Sequence, residues 1–174
     1  MRYINKILLV LSLALGQQIG MAQECNENIA PTTPDERFVD RGDGTVQDKH
    51  TGLIWMRCSL GQTWDGAACT ADASVYKWQQ ALQAANGFTF AGSDAWRMPN
   101  VNELKSIVEG ACYDPAINLK VFPVTPSSDF WTASSDAHPN HYGFSLSVSF
   151  HYGSVYYYGK DSYYHVRLVR PDSN

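Results

Sequence analysis

The sequence lacks the short motifs that mark most enzyme and cofactor-binding classes. It contains no GxSxG nucleophile elbow, no HExxH zinc-protease motif, no phosphate-binding P-loop and no GxGxxG dinucleotide fingerprint. It also has no paired CxxC spacing, which argues against a structural zinc site. We therefore predict no catalytic residues, no metal site and no cofactor.

Positive charge and long apolar runs are scarce as well. The 13 Lys and Arg residues face 17 Asp and Glu residues, which gives a net charge of -4. An acidic surface has no general attraction for nucleic acid or for anionic membranes. After the first 22 residues, no apolar stretch is long enough to cross a bilayer. We predict no nucleic-acid partner and no membrane insertion.

Residues 1–22 resemble a secretory signal peptide in composition. Arg2 and Lys6 precede the apolar run 7–15, and small residues lead to a predicted cleavage site after Ala22. Cleavage would remove two basic residues and no acid, so the net charge would change from -4 to -6. The mature protein is expected to be exported, either to the periplasm or out of the cell.

The rest of the chain has the size of one domain. Residues 23–36 are polar and proline-rich and predict a flexible lead-in, followed by a domain over 37–171. The four cysteines of an exported chain indicate two disulfides, with three connectivities. We favour Cys58–Cys69, which closes a short Gly-rich loop, and Cys25–Cys112, which ties the lead-in to the domain.

The stretch RFVDRGDGTVQDKHTGLIW, residues 37–55, predicts a three-strand meander with two Gly-ended turns. It contains Arg41-Gly42-Asp43, a tripeptide that some adhesins present to receptors. A tight hairpin needs a glycine with positive φ, which explains the tripeptide as a turn. Calcium needs six to eight oxygen ligands, more than Asp40, Asp43 and Asp48 supply.

Two helices are predicted in the middle of the chain. The first has one apolar face and a stop at Asn86-Gly87, with Asp72 or Ser74 as its N-cap. Its apolar face consists of Val75, Trp78, Leu82 and Ala85.

The second helix opens with a capping box between Asn100 and Glu103. Its apolar face consists of Leu104, Ile107 and Val108, and Gly110 ends it. Arg97 and Glu103 are expected to form a structural ion pair that joins this helix to the preceding strand end.

The C-terminal part predicts a sheet, because apolar residues alternate with small polar ones from Tyr142 to Phe150 and two turns follow. Helices between β segments give an α+β fold. Trp55, Trp78, Trp96 and Trp131 are expected in the core.

Tyrosines crowd the end of this sheet, in HYGSVYYYGKDSYYH. A strand with a period of two cannot bury both Tyr156 and Tyr157, so some rings are expected to face solvent. Exposed tyrosines suit stacking on sugar rings or contact with a protein. The other interpretation is that they only cover the sheet. The predicted ligand-binding residues are Tyr152, Tyr156, Tyr157, Tyr158, Lys160, Tyr163 and Tyr164.

Four segments, DGTVQDKHTGLIW, WRMPNVNELKSIV, INLKVFPVTPSSDFWTAS and YYHVRLVR, together resemble the Lcl C-terminal domain family, named for the end of a bacterial collagen-like adhesin. The segments WRMPNVNEL and HVRLVR are also similar to elements of formylglycine-generating enzymes. These resemblances imply a C-type-lectin-like fold in which two helices pack on a twisted antiparallel sheet braced by disulfides. Those enzymes use a late cysteine pair, whereas this chain has no cysteine after Cys112.

The main functional hypothesis is therefore a non-enzymatic recognition domain that binds carbohydrate or another surface polymer in adhesion. A sulfated ligand needs clustered cations, so a neutral glycan or a protein surface fits this acidic chain better. A structural role in a cell-envelope assembly is the alternative. An enzyme would require His151, His165 and an aspartate to meet. We interpret His138 and His141 as part of a solvated loop, not as a metal or sugar site.

Overall fold

The computed structural model describes residues 23–136 and 142–172. The predicted signal peptide and the His138–His141 loop lie outside the described residues. The fold is α+β: it is mostly sheet, with two short helices and two disulfides. The helices are α1 (Trp78–Ala85) and α2 (Val101–Lys105), and the strands are β1 (Glu24–Cys25), β2 (Phe38–Asp40), β3 (Thr45–Asp48), β4 (Leu53–Met56), β5 (Thr63–Trp64), β6 (Cys69–Thr70), β7 (Cys112–Tyr113), β8 (Asp129–Ser135), β9 (Phe144–Ser149), β10 (Val155–Gly159) and β11 (Val169–Pro171).

Strands β2, β3 and β4 form the predicted antiparallel meander, and β11 joins it beside β4. The turn between β2 and β3 uses both glycines at positive φ, +76° at Gly42 and +85° at Gly44. The aspartates close this turn: Gly42 N–H donates to Asp40 (2.8 Å), and Thr45 N–H and hydroxyl donate to Asp43 (3.0 and 2.6 Å). The tripeptide is a hairpin turn, as its sequence predicts.

A second antiparallel sheet has the order β10–β9–β8. The alternation along β9 is present, but both faces of the strand are covered. Val148 is fully buried, and Ser145 and Ser147 on the opposite face are fully buried too.

The core has two parts, because strands at the centre of the fold bury residues on both faces. In β4, Trp55 joins a cluster with Leu104 of α2, whereas Ile54 and Met56 join a second cluster with Ala81 of α1. The two helices thus lie against opposite parts of the core. Trp55, Trp96 and Trp131 are buried as predicted.

Helix α1 begins later than the sequence predicts. Its N-cap is Lys77, so neither Asp72 nor Ser74 caps it, and Val75 is 47 % exposed. Ser74 and Tyr76 instead make backbone hydrogen bonds to Leu60 and Tyr164. These long-range bonds keep the chain extended up to residue 77, which overrides the local helical pattern.

Helix α2 has the predicted capping box. The Asn100 side chain accepts from Glu103 N–H (2.9 Å), and the Glu103 carboxylate accepts from Asn100 N–H (2.7 Å). Arg97 donates to both Glu103 oxygens at 2.8 and 2.7 Å, which confirms the predicted ion pair. Leu104 and Ile107 are buried, but the regular helix ends at Lys105, before Gly110.

Both favoured disulfides are present, Cys25–Cys112 and Cys58–Cys69. The predicted flexible lead-in, residues 23–36, is packed against the domain. Strand β1 pairs with β7, and the buried Glu109 carboxylate accepts hydrogen bonds from Thr32 and Thr33. The segment is held by a cross-link, a strand pair and a carboxylate anchor.

Arg167 is fully buried and connects the end of β4 to the loop that contains Thr125. Its guanidinium donates to the carbonyls of Met56 and Arg57 and to the Thr125 hydroxyl (2.6 Å), and it lies over the Phe122 ring at 4.9 Å. Burial lowers the pKa of Arg167 to about 9, so the group is still charged at neutral pH. The early part of the chain is thereby fixed to the C-terminal part.

Candidate functional site

The predicted tyrosines do not form one surface. Tyr152, Tyr156, Tyr157 and Tyr163 are exposed by 42 to 62 %, whereas Tyr158 and Tyr164 pack against the second core cluster. The Tyr158 and Tyr164 rings lie 4.7 Å apart, and Tyr164 meets buried Trp131 at 4.9 Å. Burial, with the nearby Tyr158 and Asp129, raises the pKa of Tyr164 to about 12. These two rings support the sheet.

Strand alternation separates the exposed rings of β10. Tyr157 lies opposite Leu146 and meets Phe144 edge to face at 6.0 Å, on one face of the sheet. Tyr156 lies on the other face, 6.1 Å from Tyr158. The expectation that one set of β10 tyrosines faces outward is met in part, because each face keeps one exposed ring.

Tyr152 lies apart from these, in the turn after β9. Its ring stacks on Tyr113 of β7, with centroids 6.3 Å apart, and contacts His151. This pair belongs to the end of the domain that holds the lead-in. Tyr152 and Tyr163 therefore cannot be assigned to one site from their closeness in sequence.

Lys160 lines a groove between the turn after β10 and the start of α1, which we call the turn–helix groove. Tyr163 lies next to this groove, with its ring centroid 5.7 Å from the Nζ of Lys77, another lining residue. The volume of the groove is about 630 Å³. Its lining combines three amides, two ammonium groups, one carboxylate and two apolar side chains: Gln79, Gln80, Gln83, Lys77, Lys160, Asp161, Trp78 and Leu82.

Backbone hydrogen bonds fix the two walls of the turn–helix groove. Trp78 N–H donates to the Lys160 carbonyl (3.1 Å), and Tyr76 and Tyr164 exchange two bonds at 2.8 and 3.1 Å. The Trp78 indole N–H donates to the Thr132 carbonyl (2.8 Å). The groove is thus built on a paired backbone and does not depend on side chains alone.

The two lysines of the turn–helix groove have different partners. Lys77 pairs with the exposed Asp161 at 3.2 Å, and this hydrogen bond raises the pKa of Lys77. Lys160 Nζ lies 4.4 Å from the Trp78 ring centroid and 3.3 Å from Ser135 Oγ. Within residues 23–136 and 142–172, Lys160 forms no ion pair. Its ammonium therefore keeps donors for a ligand.

Sequence reasoning found Lys160 and Tyr163 but missed the α1 side of the groove. Trp78 was expected in the core, yet it is only half-buried and lines the groove. Gln79 and Gln83 carried a signal as polar residues on the exposed side of an amphipathic helix. That signal is shared by most surface helices, so it does not point to a site.

His151 and His165 do not meet as a catalytic pair. His151 Nδ1 lies 3.1 Å from Asp114 Oδ1 and 3.0 Å from Ser127 Oγ. A Ser-His-Asp triad needs the acid and the hydroxyl on opposite ring nitrogens, whereas here they share one. His165 is elsewhere bonded through Nδ1 to the Ser74 carbonyl (3.1 Å), and burial lowers its pKa. Ser127, His151 and Asp114 are therefore not arranged as a Ser-His-Asp triad.

A family model for the Lcl C-terminal domain matches residues 44–170. The chain belongs to the Lcl C-terminal domain family. Every residue of the turn–helix groove lies within the matched part, whereas the lead-in and β2 precede it. No curated protein sequence matches the chain significantly. In the described part of this Lcl C-terminal domain, no helix has the length and apolar character needed to span a membrane.

Proposed function

We propose that this protein is an exported, non-enzymatic recognition domain, on a C-type-lectin-like scaffold, that binds carbohydrate at the turn–helix groove in adhesion. The observation that carries the proposal is the combination of a fixed groove, clustered amides and a neighbouring exposed ring. The neighbouring ring is that of Tyr163, which is 56 % exposed and has its centroid 5.7 Å from Lys77 Nζ.

The polar lining matches the chemistry of a sugar. Sugar hydroxyls both donate and accept hydrogen bonds, and each Gln amide offers two donors and an acceptor. Asp161 adds an acceptor, and Lys160 adds donors. The Tyr163 ring offers a flat apolar face with a polar edge, which suits the face of a sugar ring.

The charge balance favours a neutral glycan over a heavily sulfated one. The groove holds two lysines, and one of them is already paired with Asp161. A sulfated polymer binds through several cations at once, and a single unpaired ammonium gives little such attraction. The mature domain is expected to be acidic overall, which weakens that attraction further.

Export is supported by two features. The first 22 residues have the composition of a signal peptide. The two disulfides pair all four cysteines, a state that persists in oxidising compartments. Periplasmic and extracellular locations both agree with these features.

A glycan array tests the proposal with wild type, Tyr163→Ala and Tyr157→Ala. Tyr157 is the matched control, because it is also 56 % exposed but is not one of the residues that line the groove. We expect wild type to bind a neutral glycan and Tyr163→Ala to weaken that binding about tenfold, the value of a lost stacking contact. Tyr157→Ala should bind normally. Loss with Tyr157→Ala alone would move the site to the sheet face, and no binding by wild type would refute the proposal.

A structural role in an envelope assembly is the second candidate. The observation that favours it is that both faces of β10 present an exposed tyrosine, Tyr156 at 42 % and Tyr157 at 56 %. Such rings suit a contact between proteins. Sedimentation velocity over a concentration series decides: self-association that Tyr157→Ala removes, without glycan binding, supports this role.

A further inference from the structure

A second hollow, of about 540 Å³, lies between the lead-in and the loop over 109–120; we call it the lead-in hollow. Its floor includes buried Ala111 and Ile117, and its outer wall includes Ile29, which is 47 % exposed. Pro31 and Leu119 add apolar surface. It takes no part in the turn–helix groove, and its lead-in wall precedes the residues matched by the family.

Acidic side chains surround this apolar surface. Glu27, Asp35 and Glu36 line the hollow with a single lysine, Lys120. Lys120 Nζ is paired with Asp35 at 3.1 Å. Among the described residues, Glu27 and Glu36 form no ion pair, and both are exposed. Two unpaired negative charges thus stand beside exposed apolar surface.

The hollow is held open by its anchors. Glu109, at its base, accepts hydrogen bonds from Thr32, Thr33 and Ala111, and the Cys25–Cys112 disulfide closes one end. A site that is already ordered loses little conformational entropy when a ligand binds.

The two-stranded sheet formed by β1 and β7, which borders the hollow, also carries aromatic and acidic side chains. Tyr113 and Tyr152 stack with exposed rings, and the Tyr113 hydroxyl donates to the Glu24 carboxylate. Aromatic faces beside carboxylates attract ammonium and guanidinium groups. The charge preference of this sheet therefore agrees with that of the hollow.

We propose that the lead-in hollow is a docking site for a segment of a partner protein in which an apolar side chain is flanked by lysine or arginine. The apolar residue fills the hollow against Ile29 and Ile117, and the flanking cations meet Glu27 and Glu36. Charge complementarity selects this occupant. An acidic segment would be repelled by Glu27 and Glu36, and a basic segment without an apolar side chain would leave the apolar surface unfilled.

Fluorescence anisotropy with three labelled heptapeptides tests the proposal: KKLPLKK, the polar KKSPSKK and the acidic EELPLEE. The wild-type disulfide-bonded protein is expected to bind KKLPLKK at least tenfold more tightly than the other two peptides, since each of them lacks one feature.

Two pairs of variants locate the binding. Glu27→Gln with Glu36→Gln should weaken KKLPLKK binding about tenfold, at about threefold for each exposed charge. The control Asp72→Asn with Asp94→Asn removes two exposed acids elsewhere and should change the affinity for KKLPLKK less than about twofold.

The second pair tests the apolar surface: Ile29→Ser should weaken KKLPLKK binding about fivefold. Its control Val75→Ser, at a residue with the same 47 % exposure, should leave it unchanged.

Equal binding of KKLPLKK and KKSPSKK would overturn the proposal, and so would equal weakening by the control variants. All of these substitutions lie on exposed side chains, so a matching thermal midpoint will show that each variant is folded. If Ile29→Ser and the double variant Glu27→Gln with Glu36→Gln both have a normal thermal midpoint and both bind KKLPLKK normally, the lead-in hollow is not the binding site.

Discussion

The Glu109 anchor gives the sharpest stability prediction, because a single carboxylate holds the lead-in. Oε1 accepts from Thr32 N–H and Ala111 N–H, both at 2.9 Å, and Oε2 accepts from the Thr33 N–H and hydroxyl at 2.8 and 2.7 Å. In Glu109→Gln, one oxygen becomes an NH₂ group. If the NH₂ group replaces Oε1, it faces the N–H donors of Thr32 and Ala111. If it replaces Oε2, it faces the Thr33 N–H, while the Thr33 hydroxyl can turn and accept from it.

At least one bond to the charged acceptor is therefore lost in a buried site, at a cost of about 1.5 kcal/mol, so the variant should lose at least about 1.5 kcal/mol of unfolding free energy. Glu109 is 4 % exposed, which keeps water from replacing the missing acceptor. Such a loss is a large share of the stability of a typical domain. Urea unfolding followed by the fluorescence of buried Trp55 and Trp131 measures it.

The pH dependence supplies a second check on the same variant. Burial acts to raise the pKa of Glu109, but the hydrogen bonds from Ala111, Thr32 and Thr33 outweigh it and lower the pKa below its ordinary 4.5. The stabilisation by Glu109 is therefore fully present above about pH 4.5 and is lost as the pH falls through the lower folded-state pKa.

The advantage of wild type over Glu109→Gln should accordingly stay constant from about pH 7 to about pH 5 and shrink below that range. Glu27→Gln, an exposed change in the same segment, is the control and should alter stability by less than about 0.5 kcal/mol. A Glu109→Gln protein as stable as wild type at neutral pH, or one whose deficit persists in acid, would show that the carboxylate is not the anchor.

Two further predictions concern the rest of the domain. Gly61 and Gly66 both have positive φ, but a Cβ at Gly61 would lie 2.3 Å from Ser74 Oγ and 2.5 Å from Ser74 N, whereas Gly66 has open space. Gly61→Ala should therefore raise the rate of unfolding and cost at least about 2 kcal/mol more than Gly66→Ala in thermal or urea unfolding, and equal costs would contradict the clash. The disulfides Cys25–Cys112 and Cys58–Cys69 span 87 and 11 residues, so replacing the first pair by serine should cost about 2 kcal/mol more than replacing the second. A larger loss for the short loop would contradict a dominant role of chain entropy.

The elements predicted well from sequence are those set by neighbouring residues. The meander follows from glycines that the hairpin turns require, and the start of α2 follows from reciprocal bonds within four residues, Asn100 to Glu103. The disulfide pairing was favoured by loop length alone, and the structure has the same pairing. The turns and the capping box depend on contacts within a few residues, and the disulfides on a choice among only four cysteines.

The candidate site was predicted only in part, because its two walls come from residues 77–83 and residues 160–161, which are far apart in sequence. Lys160 and Tyr163 were recognised as exposed polar and aromatic residues. Trp78 and Gln83 were not, since their helical pattern is explained equally well by packing. The start of α1 was wrong for a related reason: the backbone bonds of Tyr76 to Tyr164 are invisible to a local pattern.

The sequence by itself determined the α+β class, the turns and the family resemblance, and its four cysteines limited the two disulfides to three connectivities. The class and the turns depend on backbone conformations and on periodicity, which each segment carries on its own. Only the tertiary structure decided which tyrosines are exposed, that they lie on separate surfaces, and that α1 and the turn after β10 enclose a groove. Exposure and proximity depend on which distant segments pack together, and no local pattern records that choice.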